Sequence, residues 1–278
     1  MQDIIVAFGD QLYRINRQWA RVPSGFAMGT FSKAVCDADG TLYLTHRGGD
    51  PILVFNPDGE LARSFGADRI VDPHGITLGP DGTLHVVDRD RHCIEQFDRE
   101  GQHLRTIGDG RPRLQAPFSH PTDIAVAADG SCFVADGYGN AMVHRFSADG
   151  ELELSWGGFG DAPGQFATPH GIWLLDQQTL LVGDRENGRV QLFDRDGTAL
   201  GAWHGVYNPM DIFGGLNGTI YISDALPSVQ ARNRKGEVIG RCKPAIAMPH
   251  GLAGDSAGNL YVVETRHHII TRLEPVES

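Results

Sequence analysis

Three Pro-His-Gly triplets stand in this chain, at Pro73-His74-Gly75, Pro169-His170-Gly171 and Pro249-His250-Gly251. An imidazole offers one lone pair to a metal. Three imidazoles converging from different sides make a tripod for a tetrahedral or five-coordinate ion with a position left open. An open position implies ligand binding or chemistry, whereas a closed one implies structure. One triplet alone would read as a turn whose imidazole bonds a backbone carbonyl. Three triplets in equivalent places read as His74, His170 and His250 sharing a metal.

The elements that position them are repeats. A short loop recurs between two strand-like runs at Asp39-Gly40, Asp81-Gly82, Asp129-Gly130, Gln177-Gln178, Asn217-Gly218 and Ala257-Gly258. Self-similarity at a period of about 40–48 residues signals a propeller or an array. Each unit then shows a β-rich run, such as Leu84-His85-Val86-Val87 or Ile220-Tyr221-Ile222-Ser223. A third strand and a second turn follow, the turn at Asp58-Gly59, Glu100-Gly101, Asp149-Gly150 or Asp196-Gly197. Asp-Gly suits the positive φ of tight hairpins. Four short antiparallel strands make a propeller blade, and no helical period persists.

The fold class is therefore all-β, a six-bladed β-propeller, and the chain reads as a single propeller over 1–278. The blades run roughly 29–66, 71–108, 119–157, 167–203, 207–242 and 247–278, the last completed by 1–25. Leu12-Tyr13-Arg14-Ile15 and Trp19-Ala20-Arg21-Val22 are the N-terminal segments expected to close the ring and remove open sheet edges.

In such a blade the start of the inner strand and the loop after the second strand lie at the same end. The triplets occupy the first place in the second, fourth and sixth units, about 120° apart around the axis of a six-bladed ring. Ser32, Thr122 and Met210 hold that place in the others. The second place carries His46-Arg47, Asp88-Arg89, Asp136-Gly137-Tyr138, Asp184-Arg185, Asp224 and Glu264. The acids recur in most units, so they read as braces for their loops. His92, His103 and His267-His268 follow no repeat pattern and read as surface or channel-distant. The glycine-rich stretch Gly157–Phe166 precedes no helix and reads as a loop between blades, not a phosphate cradle.

Composition excludes several classes. Net charge is −11 with the signs interspersed, and no Lys/Arg stripe marks a nucleic-acid or anionic-membrane partner. The beginning, Met1 to Asp10, lacks the features of a signal peptide. Cys36, Cys93, Cys132 and Cys242 are dispersed, with no CxxC pair. All four are expected as free thiols in a cytoplasmic protein.

The stretch Gly160-Asp-Ala-Pro-Gly-Gln-Phe166 resembles the signature of NHL repeats. Ser119–Val126, Val134–Asn140, Pro169–Gly171 and Gly183–Gln191 resemble the peptidyl-α-hydroxyglycine α-amidating lyase family more narrowly. So do His46-Arg47-Gly48, Pro73-His74-Gly75 and Met248-Pro249-His250. The likeness spans nearly the whole propeller. It implies zinc on His74, His170 and His250, Tyr138 as the active-site tyrosine, Arg47 and Arg185 as active-site arginines, and Met248 beside the metal. It also implies cleavage of an N-acyl-α-hydroxyglycine into an amide and glyoxylate. Family members of animals carry an aspartate for structural calcium after the third histidine. Here Gly251 stands there, so a Ca²⁺ site is not expected. The family's disulfide positions are also without cysteine.

The expected partner is a small carboxylate-bearing molecule, held by Arg47, Arg185, Arg89 and Met248. Zinc would stabilise alkoxide charge, Tyr138 would move a proton, and an arginine fork would hold the carboxylate. Two rivals remain at this level. One is a metal-dependent hydrolase of an ester, lactone or amide on the same three histidines. The other is a non-catalytic NHL propeller that binds a protein.

Overall fold

The middle strands lack the alternation of an ordinary half-buried sheet. Leu84–Asp88, Cys132–Asp136, Ile220–Asp224 and Leu260–Glu264 are buried at every residue, as strands covered on both faces must be. The outermost strands differ: His103–Ile107 alternates, and Val238–Cys242 is largely exposed. In the computed structural model, which describes residues 4–244 and 247–276, six antiparallel sheets form a six-bladed β-propeller. No helix occurs among the described residues, and so none is long and apolar enough to cross a membrane.

By their contacts the residues group into two compact units, Gly66–Pro209 and Met1–Phe65 with Met210–Ser278. The unit Gly66–Pro209 holds three four-stranded sheets, each in sequence order. Their inner strands are Pro73–Leu78, Asp123–Val126 and Pro169–Leu174. The other unit holds the sheets whose inner strands are Thr30–Cys36, Pro209–Gly214 and Pro249–Gly254.

The sheet of Pro249–Gly254 contains strands from both chain ends. Its order is Ile5–Phe8, Gln11–Asn16, Ile269–Val276, Leu260–Glu264, Pro249–Gly254. Gln11–Asn16 supplies the expected closing strand, with Leu12 opposite Val276. Trp19–Val22 is not a strand of this sheet, contrary to expectation. Arg21 instead forms an isolated bridge to Glu60. The Trp19 ring packs edge-on to Tyr261, centroids 4.9 Å apart, and near Phe55 at 5.9 Å. Indole burial outweighs strand pairing here, since one large aromatic removes more apolar surface from water than a short edge strand. The outer place in the sheet goes to Ile5–Phe8.

Every turn between inner and second strand that carries Gly in its last place uses it at positive φ, for example +84° at Gly40 and +82° at Gly82. Each such glycine N–H closes the turn on the carbonyl three residues back, as Gly40 on Asp37 at 3.1 Å, and the glycine itself lies in the left-handed region. These turns set the register that brings the other end of each inner strand to a fixed height.

Candidate metal centre

Each triplet opens an inner strand, and each inner strand bulges there. Pro169 faces Asp184 while Ile172 faces Val182, and Pro73 faces Asp88 while Ile76 faces Val86. One extra residue on the histidine side turns the side chain out of the regular pleat. The ring is then fixed by its Nδ1. His74 Nδ1 donates to the Thr122 carbonyl at 2.6 Å, and His250 Nδ1 donates to the Ser32 carbonyl at 2.8 Å. A proton committed to Nδ1 leaves the Nε2 lone pair available, which is the tautomer a metal requires. The carbonyl bond expected of a simple turn is present, and it is what prepares the ligand.

All three imidazoles are buried, at 3%, 1% and 6% exposure for His74, His170 and His250. Within the unit Gly66–Pro209 the His74 and His170 rings stand 5.0 Å apart, centroid to centroid, close enough for their nitrogens to share a metal. The glycines after His74 and His250 are packing requirements. A Cβ on Gly75 would lie 2.6 Å from Asp123 Oδ1. A Cβ on Gly251 would lie 2.5 Å from the Ser32 carbonyl oxygen and 2.6 Å from Lys33 Cα. No side chain fits at 251, so a calcium-binding carboxylate there is excluded.

Tyr138 joins this group. Its hydroxyl lies 3.0 Å from His74 Nε2 and 2.9 Å from His170 Nε2. His74, its ring proton committed to the Thr122 carbonyl, presents an Nε2 lone pair to this phenol. A phenol oxygen between two buried imidazole nitrogens is a donor set that fits a divalent metal. Arg89 and Arg185 flank the phenol ring, their guanidinium carbons 5.5 and 5.3 Å from its centroid. Arg185 Nη1 approaches the phenol oxygen at 3.5 Å, and its Nε donates to Glu186 at 2.7 Å. Arg89 is held by Asp72 and, at 3.0 Å, by Asp90. Burial works against its charge, but the hydrogen bond to Asp90 and the carboxylate of Asp72 outweigh that and raise its pKa. Arg89 is therefore anchored on two carboxylates, while Arg185 is tied to one.

Arg47 and Met248 lie in the other unit. Arg47 ends the strand Leu42–Arg47 and is half-buried. Met248 immediately precedes Pro249, and its carbonyl accepts the Thr265 N–H at 3.3 Å.

The acids after the second strands hold their loops. Asp88 accepts the backbone N–H of Val71 and Asp72 at 2.7 and 3.1 Å. Asp136 accepts Ser119 N–H at 2.9 Å, Asp184 accepts Ala167 N–H at 2.7 Å, and Glu264 accepts Ala247 N–H at 2.9 Å. His46 takes the same part in its blade. Its Nε2 accepts the Gly29 N–H at 2.8 Å, and its Nδ1 donates to the Asp50 carbonyl at 2.9 Å. Both nitrogens are spent on backbone. His92 is not at the surface: it is 6% exposed, and its Nδ1 accepts the His120 N–H at 3.1 Å. His103 donates from Nε2 to Glu95 at 2.8 Å. All four cysteines are free. Burial pushes the thiols of Cys132 and Cys242 up to about 12, which leaves them unreactive.

Comparison with known proteins fits this geometry. The NHL repeat family matches residues 71–97. The peptidylglycine α-amidating monooxygenase of Rattus norvegicus is 32% identical over 260 residues, covering 82% of this chain and 26% of that one. Peptidyl-α-hydroxyglycine α-amidating lyase 1 of Drosophila melanogaster is 36% identical over 168 residues, covering 55% and 31%. The chain thus spans less than a third of the length of these two relatives. Among solved structures, a streptogramin B lyase superposes with a TM-score of 0.70 at 13% identity, covering 98% of this chain and all of that one. A gluconolactonase of Xanthomonas campestris superposes at 0.73 and 18% identity, covering 99% and 95%. Likeness at such identities shows the fold alone. Motifs and relatives agree, and the chain belongs to the peptidyl-α-hydroxyglycine α-amidating lyase family of NHL-repeat propellers.

Proposed function

We propose that this protein is a zinc-dependent lyase that splits the C–N bond of an N-acyl-α-hydroxyglycine or related carbinolamide into an amide and glyoxylate or a kindred carbonyl product. The observation that carries this reading is the phenol oxygen of Tyr138, 3.0 and 2.9 Å from two buried imidazole nitrogens and flanked by arginines. His74, His170 and His250 would hold the ion. When bound there, zinc supplies a Lewis acid that stabilises negative charge on a substrate oxygen.

The reaction is an isomer-to-fragments cleavage that needs neither water nor an electron carrier. The hydroxyl proton leaves, the C–O bond becomes a double bond, and the C–N electron pair moves onto nitrogen. Nitrogen must gain one proton. Tyr138 can serve both ends: its oxygen takes the hydroxyl proton and its own proton goes to nitrogen. Arg185, the less anchored guanidinium, presents a fork for the substrate carboxylate, with Arg47 as a second candidate. Arg89, fixed on Asp72 and Asp90, serves to hold the phenol ring in place. Met248 is proposed beside the substrate, as an apolar wall. Four free thiols fit a reducing compartment, and a cytoplasmic location belongs to the same proposal.

The trial is to load purified protein with zinc, supply α-hydroxyhippurate and further carbinolamides, and measure glyoxylate and amide. Wild type should release both in equal amounts. Tyr138→Phe should keep the metal and lose roughly 10²–10⁴-fold in turnover. Inactivity across the carbinolamides, with ester or lactone hydrolysis at the same centre, would replace the lyase by a hydrolase.

A further inference from the structure

The inner strand is the edge of its sheet, so the N–H groups on its free side need partners from outside the sheet. At two of the histidine-bearing strands the partner is a carboxylate from the inner strand of the preceding blade. Ile172 N–H, two residues past His170, donates to Asp123 Oδ2 at 3.0 Å. Leu252 N–H, two residues past His250, donates to Asp211 Oδ2 at 2.7 Å. Both acids are almost wholly buried, at 3% and 2% exposure. Asp211 Oδ1 also accepts Lys33 Nζ at 2.8 Å, which balances its charge.

The third blade has no ligating histidine, yet its first two residues touch both strands that carry one in the same unit. Thr122 offers its carbonyl to His74 Nδ1. Its Oγ1 donates to the Pro169 carbonyl at 2.9 Å, immediately before His170. Asp123 takes the N–H on the far side of that histidine, and its other oxygen packs against Gly75, immediately after His74. His170 is thus bracketed before and after, at the bulge where its backbone leaves the regular ladder.

We propose that Thr122 and Asp123 are positioning residues for the metal centre, setting the separation of the His74 and His170 imidazoles. Asp211 is the counterpart for the strand of His250. This rests on the metal-binding reading above. Neither residue touches a ligand atom directed at the metal, so their action is on geometry and hence on affinity, with outer-shell partners of histidine worth about 10–100-fold in metal binding.

The experiment measures Zn²⁺ affinity by competition with a chromophoric chelator, and the visible d–d absorption of the Co²⁺-substituted protein. Asp123→Ala should lose about 10–100-fold in affinity and shift the Co²⁺ bands. Asp123→Asn keeps an oxygen acceptor and should restore both. Thr122→Val, similar in shape, should shift the bands by a smaller amount while leaving the fold intact by circular dichroism. A protein that melts earlier but keeps wild-type affinity and spectrum would make these residues scaffold only, and overturn the proposal. Should Asp123→Ala not fold, Thr122→Val decides by the same two readouts. Wild-type protein that takes up neither ion would defeat the metal reading itself, a different result from unchanged variants.

Discussion

The two ends of the blades obey different rules. At the turn end the same chemistry repeats from blade to blade. Asp37 Oδ1 accepts the N–H of Asp39 and Thr41, Asp194 Oδ1 those of Asp196 and Thr198, Asp255 Oδ1 those of Ala257 and Asn259. Asn233 does the same for Lys235 and Glu237. Each bond is local and closes its own hairpin. At the other end only the brace repeats, as Asp88, Asp136, Asp184, Glu264 and, by substitution, His46. The residue after the brace is not constant: it is Arg47, Arg89 and Arg185 in three blades, and Gly137, Ala225 and Thr265 in the others. Bonds between blades occur at both ends, as from Arg195 to Asp129 at the turns, but at this end they hold the histidines, as from His74 to the Thr122 carbonyl. Repetition builds the support, and the proposed chemistry is assigned to departures from it.

The largest test of that contrast is at the departures. His170→Ala should abolish tight metal retention, because two imidazoles no longer make a tripod, while the melting temperature of the metal-free protein changes little. Metal analysis after gel filtration and a thermal scan measure the two. Stoichiometric metal in the variant would mean that His170 is not a ligand.

The next effect lies at the turn end and depends on pH. His85 Nδ1 accepts from Gln96 Nε2 at 2.9 Å. Burial pushes its pKa from 6.5 down to about 4, with Asp81 opposing and Arg105 assisting. The unfolded chain therefore binds a proton that the folded one refuses between those values. Stability is complete above pH 6.5 and falls as pH drops towards 4, by about 3 kcal/mol for a shift of this size. His85→Asn keeps an acceptor for Gln96 but cannot be protonated. Urea unfolding at pH 7 and pH 4 should show the variant losing less stability than wild type by about that amount. Equal losses in both proteins would remove His85 as the cause.

The smallest expected effect is Asp255→Ala. It removes an acceptor from two backbone N–H groups and from the Tyr261 hydroxyl at 2.9 Å. Part of that loss is repaired by water, so the cost should be about 1–2 kcal/mol in urea unfolding. Metal content should not change. A change in metal binding would show that the turn end is coupled to the site, and would blur the distinction between the two ends.

The sequence made the repeated part legible because its causes are local. An Asp-Gly turn and the strands beside it can be read within about ten residues. Pro-His-Gly was legible for a different reason: three copies stand at equivalent places in a counted repeat. Asp123 and Asp211 were not, since each acts on an N–H more than forty residues away, and nothing near it in sequence marks that partner. The place of His46 in the repeat groups it with the residues of the rim. That it does the work of an aspartate depends on both nitrogens finding backbone. The place of Trp19–Val22 before the first full unit suggests a closing strand, and the pull of the Tyr261 and Phe55 rings decides otherwise.

The joining of Gln11–Asn16 to Ile269–Val276 has a consequence for synthesis. The Asn16 amide meets the Glu274 carboxylate 258 residues further along the chain. During translation, the early strand can pair with Ile5–Phe8 on one side, but its other edge has no partner until almost the whole of this span has been made. Loop closure over such a distance is slow compared with hairpin formation. An unpaired edge is available to neighbouring nascent chains throughout that wait. The pairing that seals this sheet therefore comes late in its making, and until then one edge of Gln11–Asn16 stays open to other chains.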